Sequence, residues 1–343
     1  MFEYEGPIEA SKSLFNRGLV IQSYGDQATL SGLSSCEDVQ LMQKALLDLK
    51  NGEKEFDCGH AGTVLRFLLA RVSRLHGEWI LKGSKRLLSR PHRPLIDCLS
   101  QMGVDIEVHE DHLKVSSQGW KHVESLGINC EKSSQYVTAL VLNAWDLPFD
   151  LNIQLSEKKA SEAYLVMTFI LSQYFGLVLR MNGANGLFIP KGQKPEAKEY
   201  IPEPDLSSCF ALTACALFDG NAKIKNFPEK SIQPDRLFIP SLQAMGAKLF
   251  YNHGELTIQK TEDLKPVEVD VSNTPDLFPV LAVLVSRANG DSLIEGLSVL
   301  AHKESDRLNN TLNLLNRLKR SYKLDGDKLT IYGNPGAFMA DGD

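Results

Sequence analysis

Apolar positions along the chain switch between helical and strand spacing in an order that recurs four times. Pro94–Met102 carries apolar residues at i, i+3 and i+4, the mark of a helix with one buried face. Gly103 closes it, and two alternating stretches follow, Val104–Val108 and Leu113–Val115, joined by a polar turn. The order returns at Thr168–Phe175 with Leu177–Met181 and Leu187–Ile189, then at Leu237–Met245 with Ala247–Tyr251 and Leu256–Ile258. A fourth copy runs through Leu308–Leu318, Tyr322–Leu324 and Leu329–Ile331, without the glycine. Alternation around an Asn, Asp or Gly turn predicts an antiparallel hairpin, so each copy predicts a helix and then a hairpin.

The second strands of these hairpins open on Leu113, Leu187, Leu256 and Leu329, at spacings of 74, 69 and 73 residues. A period of that size predicts repeated β/α/β packets, each too long for a solenoid repeat. Glu37–Leu49 predicts a further helix, but Lys50–Asp57 is too short for the full hairpin that should follow it. At about 72 residues per packet the 343 residues hold not quite five. The fold class expected is therefore α/β, built as two domains, since a protein of this length exceeds one ordinary core.

Composition narrows the function. With 37 basic and 43 acidic residues the net charge is −6, and no Lys/Arg-rich block stands out, which argues against nucleic acid or an anionic membrane as partner. The best apolar run, Leu277–Val285, falls well short of the roughly 18 residues of a membrane span. Met-Phe-Glu-Tyr-Glu at the start has neither the basic nor the apolar part of a signal peptide, so the expectation is a cytoplasmic protein. Six cysteines lie scattered without Cys-x-x-Cys spacing and predict reduced structural thiols rather than a metal site.

Polar chemistry gathers in five places, each with a structural reading beside the functional one. Ser11-Lys12-Ser13 and Asn16-Arg17 put two cations and two hydroxyls at a predicted helix start, with Ser13 as its cap, suited to a phosphate or carboxylate or simply to capping. Gly62-Thr63 and Arg66 open another helix, where Gly62 lets a ligand approach the backbone and His60 is a loop histidine. Arg90 and Arg93 sit on a proline-stiffened loop that suits carboxylate recognition or a solvated basic turn. Ser133-Ser134-Gln135 and Ser161 with Tyr164 open two more helices, and such hydroxyls commonly serve as caps. Finally Asp276 precedes an apolar helix, and a predicted helix through 302–307 sets Lys303 and Arg307 on one face with Glu304 beside them. A carboxylate among cations suits acid–base work, and dense alternating charge also suits a solvent-exposed face.

Taken in order, these segments closely resemble the 5-enolpyruvylshikimate-3-phosphate (EPSP) synthase family. The matching motifs are S-K-S-x-x-N-R at 11–17, A-G-T-x-x-R at 61–66, R-P-x-x-P-L at 90–95, S-S-Q at 133–135 and S-x-x-Y at 161–164. They continue with D-x-S-S at 205–208, Q-x-D at 233–235, P-D-L at 275–277 and K-E-S-D-R at 303–307. The collinear set spans the sequence to about residue 333 and separates it from the related UDP-N-acetylglucosamine enolpyruvyl transferases, whose cysteine-bearing loop has no counterpart here.

The resemblance implies a two-domain inside-out α/β barrel of packets with pseudo-threefold symmetry, residues 1–10 and 204–343 forming one domain and 11–203 the other. It implies transfer of the enolpyruvyl group of phosphoenolpyruvate to the 5-hydroxyl of shikimate 3-phosphate, by addition and then elimination of phosphate, in a monomer with no metal or redox cofactor. By resemblance Asp276 is the base facing the 5-hydroxyl, and Glu304 and Lys12 handle the proton at the methylene carbon. Lys12, Ser13, Arg17, Ser133, Ser134, Gln135, Ser161, Tyr164, Asp276 and Lys303 hold shikimate 3-phosphate. Lys12, Gly62, Arg66, Arg90, Gln135 and Arg307 line the phosphoenolpyruvate side, and Gly62 matches the position where glyphosate needs room. His60 stands where the family usually has Asn, and Pro204 and Pro234 stand where glycine is common. Asp341 stands where the family continues with His-Arg and, later, a lysine; the expectation is a protein truncated at its C-terminus relative to the family. Beside catalysis stand two other readings: a non-catalytic paralogue that still binds shikimate 3-phosphate, and a repeat-built interaction scaffold.

Overall fold

The computed structural model describes residues 1–336, apart from the side chain of His302; the expectation attached to Asp341 lies outside the described residues. The protein divides into two compact units, one of Met1–Glu9 with residues from Glu203 on, the other of Ala10–Pro202. We call these unit 1 and unit 2. Strand β1 (Phe2–Gly6) opens unit 1. Unit 2 then runs α1 (Lys12–Gln22), β2 (Thr29–Leu30), α2 (Glu37–Lys50), β3 (Glu55–Asp57), α3 (Gly62–Val72) and β4 (His76–Lys82). It continues with α4 (Lys85–Leu88), α5 (Arg93–Gln101), β5 (Asp105–Val108), β6 (His112–Gln118), β7 (Leu126–Ile128) and α6 (Gln135–Leu142). Then come β8 (Leu151–Leu155), α7 (Glu162–Tyr174), β9 (Arg180–Asn182), β10 (Gly186–Ile189) and β11 (Glu199–Tyr200). Unit 1 resumes with α8 (Leu206–Asp219), β12 (Gly220–Ile224), α9 (Phe238–Ala244), β13 (Lys248–Asn252) and β14 (Glu255–Gln259). It ends with β15 (Glu268–Asp270), α10 (Phe278–Val285), β16 (Ser292–Glu295), α11 (Arg307–Arg317), β17 (Tyr322–Asp325) and β18 (Lys328–Ile331).

One plan recurs. A strand is followed by a helix, a second strand parallel to the first, another helix and an antiparallel hairpin whose inner strand pairs with the second strand. Unit 2 holds two such four-stranded sheets, β3-β4-β6-β5 and β7-β8-β10-β9, and unit 1 holds β1-β12-β14-β13 and β15-β16-β18-β17. Each inner strand buries two side chains two residues apart: Leu113 and Val115, Leu187 and Ile189, Leu256 and Ile258, Leu329 and Ile331, all 2 % exposed or less. That is the alternation of a strand with one face in a core, and it is the repeat legible in the sequence. Unit 2 also has a two-stranded parallel sheet, β11 with β2, after which α2 turns at Asn51–Gly52 directly into β3. The sheets are open, and no closed barrel forms among the described residues.

Between its sheets unit 2 is filled by helices nearly apolar all round. In α3 only Thr63 and Arg71 escape burial, and every residue from Tyr136 to Leu142 of α6 is buried. A helix buried on all sides must satisfy any polar group it carries inside the protein, which is why the few polar residues here are so specifically partnered.

Candidate active site

Four helices of unit 2 bring their N-terminal ends to one side. The link between α1 and α7 is Arg17, a guanidinium 1 % exposed. Its Nε donates to Thr168 Oγ1 at 2.9 Å, Nη1 to the Ser13 carbonyl at 2.8 Å and Nη2 to the Tyr164 carbonyl at 3.5 Å, and the group lies 5.6 Å from the Phe67 ring centroid. Burial lowers the Arg17 pKa to about 10, so it stays charged at neutral pH. Thr168 Oγ1 also meets Thr138 Oγ1 at 3.1 Å, which brings in α6. The link between α3 and α6 is Arg66, whose Nη1 donates to Gln135 Oε1 at 2.6 Å and Nη2 to the Pro91 carbonyl at 3.0 Å. Helix N-termini carry partial positive charge and unpaired N–H groups, so their convergence favours an anion.

Two more features sharpen that end of unit 2. A Cβ built on Gly62, the first residue of α3, would lie 2.6 Å from Arg90 Nη1 and 3.1 Å from Arg66 Nη1. Both guanidiniums therefore rest against the bare backbone of that helix start, as only glycine permits. Ser161 precedes α7 in the left-handed region, at φ 52°, and its buried hydroxyl has no partner among the described residues. Lys12 is the first residue of α1 and pairs with Asp38 of α2 at 3.4 Å. The helix begins ahead of its predicted start. Ser11 occupies the N-cap position, so Ser13 is not the cap but lies in the first turn, and its hydroxyl is not engaged there in capping. Ser133 Oγ accepts from the Gln135 backbone N–H at 3.2 Å, and Ser134 precedes α6.

His92 explains how Arg90 is held. Its Nε2 donates to the Leu87 carbonyl at 2.8 Å, the same carbonyl that accepts the Arg90 backbone N–H at 3.1 Å. Burial, reinforced by the charges of Arg66 and Arg90, pushes the imidazole pKa down to about 3, so the ring is neutral. Nothing in the spacing of the sequence marked Asp38 or Thr168, because each acts through a partner distant in the sequence, and the role of His92 rests on a shared carbonyl that spacing does not show.

In unit 1 the charged segment 303–307 is built differently from its prediction. Residues 297–302 form a 3₁₀ turn, Lys303 is extended, and α11 begins only at Arg307. Asp306 stops the helix from starting earlier: its Oδ1 accepts the Asn309 backbone N–H at 3.1 Å, the bond of an N-cap. Lys303 and Arg307 are thus not neighbours on one helical face. Arg307 instead reaches across, Nη1 donating to Asp276 Oδ1 and Nη2 to Glu304 Oε2, the latter at 3.1 Å. Asp276 stands in a 3₁₀ turn (Pro275–Leu277) leading into α10. One guanidinium so gathers the two carboxylates. A second polar knot lies at the start of α8, where Gln233 Nε2 donates to Glu203 Oε2 and to the Pro204 carbonyl, both at 2.9 Å. Asp205 there caps α8, accepting the Ser208 backbone N–H at 2.9 Å. Pro204 and Pro234 flank this knot without interrupting it: neither a capping acceptor nor a 3₁₀ N1 residue needs a proline N–H.

Comparison with known proteins agrees at both levels. Residues 47–338 match the family model described as EPSP synthase (3-phosphoshikimate 1-carboxyvinyltransferase). The 3-phosphoshikimate 1-carboxyvinyltransferase of Methanoculleus marisnigri is 30% identical over 287 residues, covering 83% of this chain and 68% of the relative. That of Pyrococcus abyssi is 33% identical over 255 residues, 74% of this chain and 60% of the relative, so the chain spans roughly two thirds of such proteins. Among solved structures, an EPSP synthase from Acinetobacter baumannii superposes with a TM-score of 0.73 at 18% identity, covering 97% of this chain and 82% of the other. The enolpyruvyl transferase NikO from Streptomyces tendae gives 0.70 at 14% identity, with the same coverage. At such identities the likeness speaks to the fold.

Proposed function

The chain belongs to the EPSP synthase family, and from that premise we propose how its two sets of polar side chains divide the work. It is an enolpyruvyl (carboxyvinyl) transferase, moving the enolpyruvyl group of phosphoenolpyruvate to the 5-hydroxyl of shikimate 3-phosphate and releasing phosphate. Both substrates are polyanions, and the helix starts of unit 2 are where the protein gathers cations and free N–H groups. In this reading Ser13, Ser133, Ser134, Ser161 and Tyr164 receive shikimate 3-phosphate, with Lys12, Gln135 and Lys303. Arg17, its guanidinium turned to the Ser13 and Tyr164 backbone, joins the set by fixing those two residues. Arg66 and Arg90, resting on Gly62, take phosphoenolpyruvate.

Asp276 removes the proton of the 5-hydroxyl as it attacks C2 of phosphoenolpyruvate, while Glu304 and Lys12 deliver a proton to its methylene carbon. The tetrahedral adduct then loses that methyl proton and phosphate. Arg307, bonded to both Asp276 and Glu304, stands on the phosphoenolpyruvate side in this reading. A cytoplasmic monomer is part of the same reading.

The contact of Arg90 and Arg66 with Gly62 carries this reading. Steady-state phosphate release by Arg90→Ala tests it. The expected result is a KM for phosphoenolpyruvate raised about tenfold or more, as for loss of a charge-assisted pair, with the KM for shikimate 3-phosphate nearly unchanged. Equal rises in both constants, or none, contradict the division of roles.

A further inference from the structure

Each four-stranded packet follows its second helix with a hairpin, and α2 is the exception. Where a hairpin would begin, residues 51–54 turn straight into β3, which belongs to the next packet. Leucines on the C-terminal half of α2 consequently have no inner strand to pack against. Leu47 is 58% exposed, and Leu46 and Leu49 line a cavity of about 620 Å³ together with Leu19 of α1 and Leu75 beyond α3. That volume lies within the roughly 300–1,000 Å³ of small-molecule sites.

The wall is not only apolar. Arg71 and Lys50 stand on it against one lining carboxylate, Asp26, which pairs with Lys50 at 3.5 Å, so its net charge is positive. Arg71 is held rigidly: Nε donates to Ser23 Oγ at 2.8 Å, Nη2 to the Ser23 carbonyl at 3.1 Å, and the group stacks 4.4 Å from the Tyr24 ring centroid. Those bonds leave its Nη1 without an acceptor among the described residues, and the amides of Gln22 and Gln43 share the wall. A preoriented guanidinium at the rim of a leucine-lined hollow selects an anion with an apolar body.

We propose that this cavity binds an amphipathic monocarboxylate, its apolar body on the leucines and its carboxylate taken by Arg71 and Lys50. The cavity lies at the C-terminal ends of α1 and α3, whereas Lys12, Ser13, Gly62 and Arg66 stand at or near their N-terminal ends. At 1.5 Å per residue the two sites are about 15 Å apart along α1, so such a ligand does not compete with a polyanion at the helix starts.

Calorimetry of the full-length protein with 4-phenylbutyrate, in saturating inorganic phosphate, tests the site. A Kd on the order of 1 mM is expected for a probe of that size. The alcohol 4-phenylbutanol, and the variants Lys50→Glu and Leu47→Glu with the acid, should each bind about tenfold more weakly, since each removes or opposes the charge pairing. Both positions are largely exposed, so the variants keep the fold. No saturable binding, equal binding of the alcohol, or unchanged binding by both variants overturns the proposal.

Discussion

Arg17, Arg66, Arg90 and Arg307 show how the surroundings of one side-chain type decide its work. Arg17 is spent on the protein's own hydroxyl and carbonyls, while Arg307 balances Asp276 and Glu304. With Asp276 as base, Asp276→Asn should cut turnover about 100-fold or more while leaving the Kd for shikimate 3-phosphate within a few-fold, the usual weight of a general base. Steady-state phosphate release, paired with calorimetry, measures both, and an unchanged rate removes Asp276 from the mechanism. His92 gives a prediction of a different kind. Its ring stays neutral in the folded protein down to about pH 3, whereas in the unfolded state it protonates near its ordinary 6.5. The unfolded form therefore takes up a proton first as pH falls, and stability contributed by neutral His92 is present above pH 6.5 and lost on the way down. Urea unfolding from pH 7 to pH 5 should show a slope about 1 kcal/mol per pH unit shallower in His92→Gln, which can keep the bond to Leu87. Identical slopes in both proteins rule out the neutral buried ring.

At the scale of elements, the candidate residues of unit 2 stand mostly at helix starts. Gly62 is the position where that is most easily tested, since a methyl there meets the ends of Arg90 and Arg66 rather than backbone. Gly62→Ala should leave stability within about 1 kcal/mol, the helix gaining what the displaced guanidiniums lose. The KM for phosphoenolpyruvate should rise by about tenfold, because the two cations can no longer rest on the helix start. A large loss of thermal stability with an unchanged KM would mean the glycine serves packing alone. The hairpins and most helices were legible because period-two and period-3.6 patterns are local, and the shortened segment after α2 was legible by its length. The helix predicted through 302–307 was not there, because Asp306 caps α11 and spacing alone cannot tell a charged loop from a charged helix. The end of α6 at Leu142 was not legible either: there the Asn143 side-chain amide turns back to donate to the Ala139 carbonyl at 2.8 Å.

For the whole molecule the repeat is the governing fact: one strand–helix–strand–helix–hairpin plan, used twice in each unit and once more in shortened form in unit 2. What no local pattern could supply is long-range pairing. β1 joins β12 with Phe2 opposite Gly220, and β2 joins β11 with Thr29 opposite Glu199. Candidate residues from 12 to 164 in unit 2 and from 276 to 307 in unit 1 were legible through collinear motifs, while the bond of Arg17 to Thr168, the pairing of Lys12 with Asp38 and the Leu87 carbonyl shared by His92 and Arg90 emerged only in three dimensions. The reaction of the family converts phosphoenolpyruvate and shikimate 3-phosphate into free phosphate and an enol ether. Proton and phosphorus NMR of the full-length protein with phosphoenolpyruvate and shikimate 3-phosphate follows that directly. Free phosphate and new enol-ether methylene protons should appear in equal amounts; both substrates binding with neither signal appearing would rule out the transferase activity.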